Sequence, residues 1–372
     1  MKRAQALFAL SLLVVLFVCA RKPILFGQDA NALSPPDLLN SFSDISTTNL
    51  NFVAFSPDNK TIAATYIHSE TGAYNITLHD RQTWKSLQVL AKKDFDNPSF
   101  AFSPDGRFIA SPGRNSVEII DVKTGRLLRK LAYRPKEDSH QNVSLSFSPN
   151  GKLLAAVEPL RSSVLVWEFA TGKQLWSIIA KPQDIFGIAF SPDSNILAGA
   201  GRGQRSDKRL RLWKASSGRL IRTFKGSAFS VDAPLVYSPD GKFIATSGFP
   251  PSYREEKPEI SGTDDWFLTQ QDSVVMLWDP QSGKLLRVLR EAPYPQKSQN
   301  YSPLGFSLDS KKVVVASDSK IDVRNANTGQ VLQRIKGLDG GMIKVLSPDG
   351  KVVFSDTWPN HRGYGAAFWR VK

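Results

Sequence analysis

The chain has 372 residues, 41% of them apolar and 22% charged, with 48 Lys and Arg against 34 Asp and Glu and a single cysteine. That is a globular composition, and it excludes a disordered chain, a collagen-like fibre and a multi-span membrane protein. One cysteine excludes an intramolecular disulfide, a structural zinc cluster built on thiolates and a Cys-x-x-Cys redox pair.

The amino terminus reads as an export address. Met1-Lys2-Arg3 is basic, residues 6–20 are an almost unbroken apolar run, and Val18 and Ala20 stand at the small-residue positions of a cleavage site after Ala20. The run is short for a membrane span, which needs about 20 apolar residues. Residues 1–20 are therefore expected to be a signal peptide, with retention as an N-terminal anchor the alternative, and residues 21–32 a linker. The expected location is periplasmic or secreted. Cleavage after Ala20 would also remove Cys19, the one cysteine.

From Leu33 onward one phrase recurs, apolar-Ser-Pro-Asp-Gly or a close variant, with its Ser at 56, 103, 148, 191, 238, 307 and 347. The intervals are 47, 45, 43, 47, 69 and 40 residues. A period in the low-to-mid forties with one expanded unit fits the four-strand blade of a propeller and not a helical repeat of ~34 residues. Pro sets the backbone angle of a tight turn, Asp caps it, and Gly accepts the positive φ that follows. Asn59, Ser194 and Ser310 replace that Gly in three units, and the two serines are expected to be mildly strained. The turn explains these serines completely, so none is read as a nucleophile.

Each unit then has a second strand, a connection of variable length, and a third strand that ends at Trp167, Trp213, Trp278 or Trp369, with Asp279 after one of them. Leu78-His79-Asp80, Ile120-Asp121 and Val323-Arg324 are degenerate versions. On these residues the stretch 33–372 resembles the WD40-repeat β-propeller family in its divergent, prokaryotic-type form. The family's Gly-His pair is absent, with Lys225-Gly226 and Lys336-Gly337 in its place. The resemblance implies an all-β, seven-bladed propeller of four-stranded antiparallel blades that offers interaction surfaces rather than catalytic residues. The last unit stops at its third strand, and an open edge there would be exposed. Leu38-Leu39-Asn40-Ser41-Phe42 has the cadence of the fourth strand Leu220-Ile221-Arg222-Thr223-Phe224, so it is expected to complete the last blade.

Variable loops on a rigid scaffold are where binding concentrates. The candidates lie in three of them: Arg202 and Arg205 in the fourth unit, Tyr253 and Trp266 in the insertion at residues 249–271, and Trp358, His361 and Tyr364 in the last. The insertion has a local charge of −3 beside a loop with four basic residues and one Asp, so the two are expected to pair. His68, His79, His140 and His361 fall in separate units and form no close metal motif, and His79 reads as a packed structural residue. No cofactor, metal site or catalytic set is assigned. The expected function is an exported, monomeric scaffold for a protein or peptide, touching a membrane only through a retained N-terminal anchor and binding no nucleic acid. The alternative is a propeller enzyme, lactonase-like or quinoprotein-like, with its site in the central channel.

Overall fold

A computed structural model describes residues 38–42, 50–67, 73–93, 99–113, 115–132, 144–158, 163–179, 185, 187–201, 210–224, 235–248, 274–289, 301–317, 320–336, 344–356 and 366–372. They lie in one compact unit, Asp37–Lys372. Residues 1–20 and 21–32, expected to be a signal peptide and a linker, fall outside the described residues.

The chain begins with β1 (Leu38–Phe42) and then runs through the blades in order. Blade 1 is β2 (Leu50–Phe55), β3 (Thr61–Ile67), β4 (Tyr74–Asp80) and β5 (Ser86–Lys93); blade 2 is β6 (Ala101–Phe102), β7 (Phe108–Gly113), β8 (Ser116–Asp121) and β9 (Leu127–Ala132). Blade 3 is β10 (Ser144–Phe147), β11 (Leu153–Glu158), β12 (Ser163–Glu168) and β13 (Gln174–Ile179); blade 4 is β14 (Gly187–Phe190), β15 (Ile196–Ala200), β16 (Arg211–Lys214) and β17 (Leu220–Thr223). Blade 5 is β18 (Val236–Tyr237), β19 (Ile244–Gly248), β20 (Val274–Trp278) and β21 (Leu285–Leu289); blade 6 is β22 (Ser302–Phe306), β23 (Lys312–Ala316), β24 (Lys320–Asn325) and β25 (Val331–Lys336). Blade 7 is β26 (Lys344–Leu346), β27 (Val352–Ser355) and β28 (Ala366–Arg370), with β1 as its fourth strand. The seven antiparallel sheets form a seven-bladed β-propeller, and β1 closes it as expected.

The two middle strands of each blade are covered on both faces, so they read as near-continuous apolar runs, such as Val313-Val314-Val315 and Val164-Leu165-Val166, rather than alternating ones. Their apolar side chains divide between two neighbours. Ala155 and Val157 of blade 3 pack with Phe190, Leu197 and Trp213 of blade 4, whereas Leu154 and Ala156 pack with Ile119 and Leu131 of blade 2. All seven apolar clusters of the described residues straddle a blade boundary, including Val53, Ile62 and Trp84 of blade 1 with Phe354 and Phe368 of blade 7.

Every fourth strand carries the same bulge. In blade 4, Trp213 faces Leu220 and Leu212 faces Arg222, which leaves Ile221 over. The same step leaves Leu87, Leu128, Leu175, Leu286 and Leu332 in their blades and Leu39 in blade 7. The residue after the bulge reaches the next blade. Arg129 Nη1 donates to the Phe169 and Ala170 carbonyls at 3.1 and 3.0 Å, Trp176 Nε1 to Ala215 at 2.8 Å, Arg222 Nη1 to Ser282 at 3.0 Å, and Arg287 Nη2 to Asn327. Gln333 Nε2 donates to the Arg370 carbonyl at 2.9 Å, where the chain ends instead of turning. The Gly in the receiving turn is needed for close approach: a Cβ on Gly218 would lie 2.7 Å from the Trp176 ring.

The inner turns are linked too. In each, the Ser hydroxyl donates to the Asp or Asn two residues on and accepts from a backbone N–H five residues on, as Ser103 does with Asp105 at 2.6 Å and Phe108 at 2.9 Å. Ser194 and Ser310 have φ of 64° and 60°, the left-handed conformation expected to strain them. Each also makes a bond that Gly could not. Ser194 Oγ accepts from Asn150 N–H of blade 3 at 3.1 Å, Ser310 Oγ accepts from Asp240 N–H of blade 5 at 3.0 Å, and Asn59 Nδ2 donates to Asp349 of blade 7 at 2.9 Å.

Two opposed effects therefore meet at Ser194, and two substitutions separate them. Ser194→Ala loses the interblade bond and keeps the strained backbone, at a cost of about 1 kcal/mol or more. Ser194→Gly loses the same bond but relieves about 1 kcal/mol of left-handed strain. Urea unfolding should rank wild type and S194G close together and S194A below both; equal midpoints for the two variants would show that the backbone strain is absent.

Candidate functional site

Strand order gives the ring two unlike faces. Connections between first and second strands in all seven blades, and between third and fourth strands in blades 1 to 6, are five or six residues long. Those between second and third strands range from two residues in blade 2 to twenty-five in blade 5. The short face is therefore rigid and repeated, whereas the opposite face is variable.

Arg202 and Arg205 belong to the connection between β15 and β16, Tyr253 and Trp266 to that between β19 and β20, and Trp358, His361 and Tyr364 to that between β27 and β28. All seven lie outside the described residues. Blades 4 and 5, which carry the first two connections, are adjacent, and blade 6 stands between blade 5 and blade 7, which carries the third. The expected pairing of the basic and acidic loops also falls outside the described residues.

On the same face, at the start of its inner strand, Phe52 is the only exposed phenylalanine among the described residues. A bulge at Asn51 turns it out, the Thr65 hydroxyl accepts its N–H at 3.0 Å, and the Phe100 ring meets it edge-on at 5.0 Å. Sequence reading did not single it out, because nothing in Asn51-Phe52-Val53 announces the bulge. Of the seven inner strands that surround the axis, only β26 carries a formal charge, at Lys344. Among the described residues no three His, Cys, Asp or Glu side chains are grouped to hold a metal ion, and no helix is long and apolar enough to cross a membrane.

The family model "WD domain, G-beta repeat" matches residues 172–214, from the turn before β13 through the third strand of blade 4 and its Trp213. WD repeat-containing protein VIP3 of Arabidopsis thaliana is 26% identical over 162 residues, 44% of this chain and 46% of that protein. Nuclear distribution protein PAC1 of Arthroderma benhamiae is 27% identical over 161 residues, 40% of this chain and 33% of that protein. The chain thus spans less than half the length of either relative. The chain is a seven-bladed propeller with a WD40 repeat at residues 172–214. A hydrazine synthase chain from Kuenenia stuttgartiensis shares the fold, with a TM-score of 0.64 at 16% identity, over 88% of this chain and 98% of that one.

In this WD40 propeller the signature tryptophans are structural. Trp278 Nε1 donates to Thr246 Oγ1 and Trp369 Nε1 to Ser355 Oγ, each at 3.0 Å, so the Trp-to-hydroxyl bond forms without the family's His. In blade 6 the position is Arg324, whose Nη2 meets Asp322 at 2.7 Å. Burial raises the Asp322 carboxyl pKa, but Arg334 and Arg324 outweigh it and hold the group below the usual carboxylate range.

In blade 1 the position is His79, which is buried as expected. Its Nδ1 lies 3.0 Å from the Trp84 carbonyl, which can only accept, so that nitrogen carries the proton and Nε2 accepts from the Tyr66 hydroxyl at 3.0 Å. The His79 ring stacks on Trp84 at 4.8 Å, and Trp84 stacks on Phe354 of blade 7 at 5.1 Å. Trp84 occupies the slot filled by Gly125, Gly172, Gly218, Gly283 and Gly329 in blades 2 to 6, and it accepts a φ of 58° to do so. Burial pushes the Tyr66 pKa up to about 12 and the His79 pKa down, the bond to the Trp84 carbonyl opposing the latter only in part.

This stack makes the join between blades 1 and 7 sensitive to acid. Below the unfolded-chain value near 6.5 the unfolded His79 takes up a proton that the folded ring resists, so stability falls as pH drops from there toward the folded pKa. The unfolding free energy of wild type should decline between pH 7 and 5 by up to about 1.4 kcal/mol per pH unit more than that of His79→Gln. Parallel curves for the two proteins would remove His79 from the account.

Proposed function

We propose that this WD40 propeller is an exported scaffold that holds a protein or peptide partner on its variable-loop face. The observation that carries the reading is the contrast between the faces: turns of five or six residues on one side, and second-to-third-strand connections of two to twenty-five on the other. A scaffold that keeps one face constant and diversifies the other is built for recognition. WD-repeat relatives support an interaction role, and the axis, with Lys344 as the one charged residue on its inner strands, gives little support to a channel enzyme. Arg205 and Trp266, from adjacent blades, are the proposed basic and aromatic contacts, and Phe52 is the exposed ring nearest the axis end of blade 1. Arg and aromatic side chains dominate the energetics of such surfaces.

The test is crosslinking capture from the native envelope extract with wild type, Arg205→Glu, Trp266→Ala and Phe52→Ala, beside a Lys173→Gln control on the short face. A partner of this face should be recovered by wild type and the control and lost by about tenfold or more in R205E and W266A. Equal recovery by all variants would place recognition elsewhere.

A further inference from the structure

The positive charge of this protein is not spread evenly around the ring. The seven inner turns balance six Lys and Arg against six Asp. The seven outer strands, with the turns that lead into them, carry fifteen Lys and Arg against one acid, Asp279. The neighbouring third strands offset part of this: Asp80 and Asp121 stay charged while they accept from the Thr83 and Thr124 hydroxyls at 2.8 Å, and Glu118 pairs with Lys93 and Lys130, which leaves the third and outer strands of blades 1 and 2, with their turns, at eight Lys and Arg against three acids. Interleaved with the cations is the aliphatic residue that each outer-strand bulge expels, Leu or Ile in all seven blades and exposed in each.

The densest stretch is the outer edge of blades 1 and 2. Leu87, Leu127 and Leu128 are 53%, 47% and 55% exposed, and Lys85, Lys123 and Arg126 beside them are exposed as well. The stretch is continuous across the boundary, since Gly125 in the blade 2 turn lies against the Val89 and Leu90 carbonyls of β5. Blade 7, next in the ring, takes β1 as its own outer strand, and β1 starts at the short-turn end like every other outer strand. The sequence that leads into β1 is the apolar run 6–20 followed by residues 21–37, seventeen residues that can reach at most about 60 Å.

We propose that the outer edge of blades 1 and 2 docks on an anionic phospholipid bilayer, with the aliphatic side chains at the lipid interface and the cations over the headgroups. The proposal rests on the reading of the N-terminal run as a retained anchor, which would hold this side of the ring near the bilayer. Cationic surfaces interleaved with aliphatic groups bind anionic interfaces through both terms, and a second weak contact beside an anchor is strengthened by its confinement. An acidic protein would satisfy the cations, but it leaves the exposed Leu87, Leu127 and Leu128 between them without a role.

The test is flotation of the full-length chain with vesicles of phosphatidylcholine, alone or with about 30% phosphatidylglycerol, at low and high salt. Binding to neutral vesicles reports the anchor, and the gain on anionic vesicles reports the edge, so failure of one is distinguishable from failure of the other. The gain should be about tenfold or more at low salt, vanish in K85Q/K123Q/R126Q, and shrink in L87S/L128S, with neutral-vesicle binding unchanged in both. A triple variant that keeps the full gain overturns the proposal. So does retention on polyglutamate-coated beads that the charge variant loses and the L87S/L128S variant keeps, because that assigns the edge to an acidic protein.

Discussion

No blade of this propeller owns a core. Every apolar cluster of the described residues lies between two blades, so each sheet is stable only while both neighbours are in place. In an open row of blades the two end sheets would each expose a face as apolar as Val53, Ile62 and Trp84 on one side and Phe354 and Phe368 on the other. Burial of side chains of that size contributes roughly 1.5–3 kcal/mol each, which is large beside the net stability of a domain. Ring closure is therefore the constraint from which the other features follow. Blade 7 is assembled from both ends of the described chain, and its β1 contributes Leu38 to the cluster shared with blade 6.

The interblade polar contacts serve the same constraint at two radii. Near the axis, Asn59, Ser194 and Ser310 accept a left-handed backbone and bond to the preceding blade's turn. At the rim, the bulge in each outer strand pushes one aliphatic residue outward, and in blades 2 to 6 it aims the next side chain at a backbone carbonyl of the following blade. The rim bonds are charge-assisted wherever the reaching residue is Arg, and their acceptors are backbone carbonyls that carry no formal charge. The blade 1 and 7 join differs from the rest, because Trp84 rather than Gly stands in the turn and stacks between His79 and Phe354.

Much of this was legible from residue order. The Ser-Pro-Asp-Gly spacing marked seven units because the turn's chemistry is local, and the cadence of Leu38–Phe42 marked the closing strand because a fourth strand has its own pattern. Contacts between blades were not legible. The reaching residues Arg129, Trp176, Arg222 and Arg287 stand four residues after a Gly in each unit, a fixed offset whose meaning depends on a neighbour 39 to 60 residues away. Trp84 was not legible either, because nothing local in Arg81-Gln82-Thr83-Trp84-Lys85 announces that its ring packs against Phe354 of blade 7. For the candidate site, sequence order assigned the loops to blades and a face, whereas the chemistry they present depends on side chains of long connections that no local rule places.

The central claim is that β1 is an integral strand of the ring and not a tail lying on it. Hydrogen exchange on the native full-length chain, read by mass spectrometry, tests it most directly through the amides of residues 38–42. The account predicts that their protection matches that of β28, their partner, and of the outer strand β17 within about tenfold, because strands that break only with the ring share one opening free energy. Exchange of residues 38–42 at the rate of an unstructured peptide, with β28 protected, would contradict it.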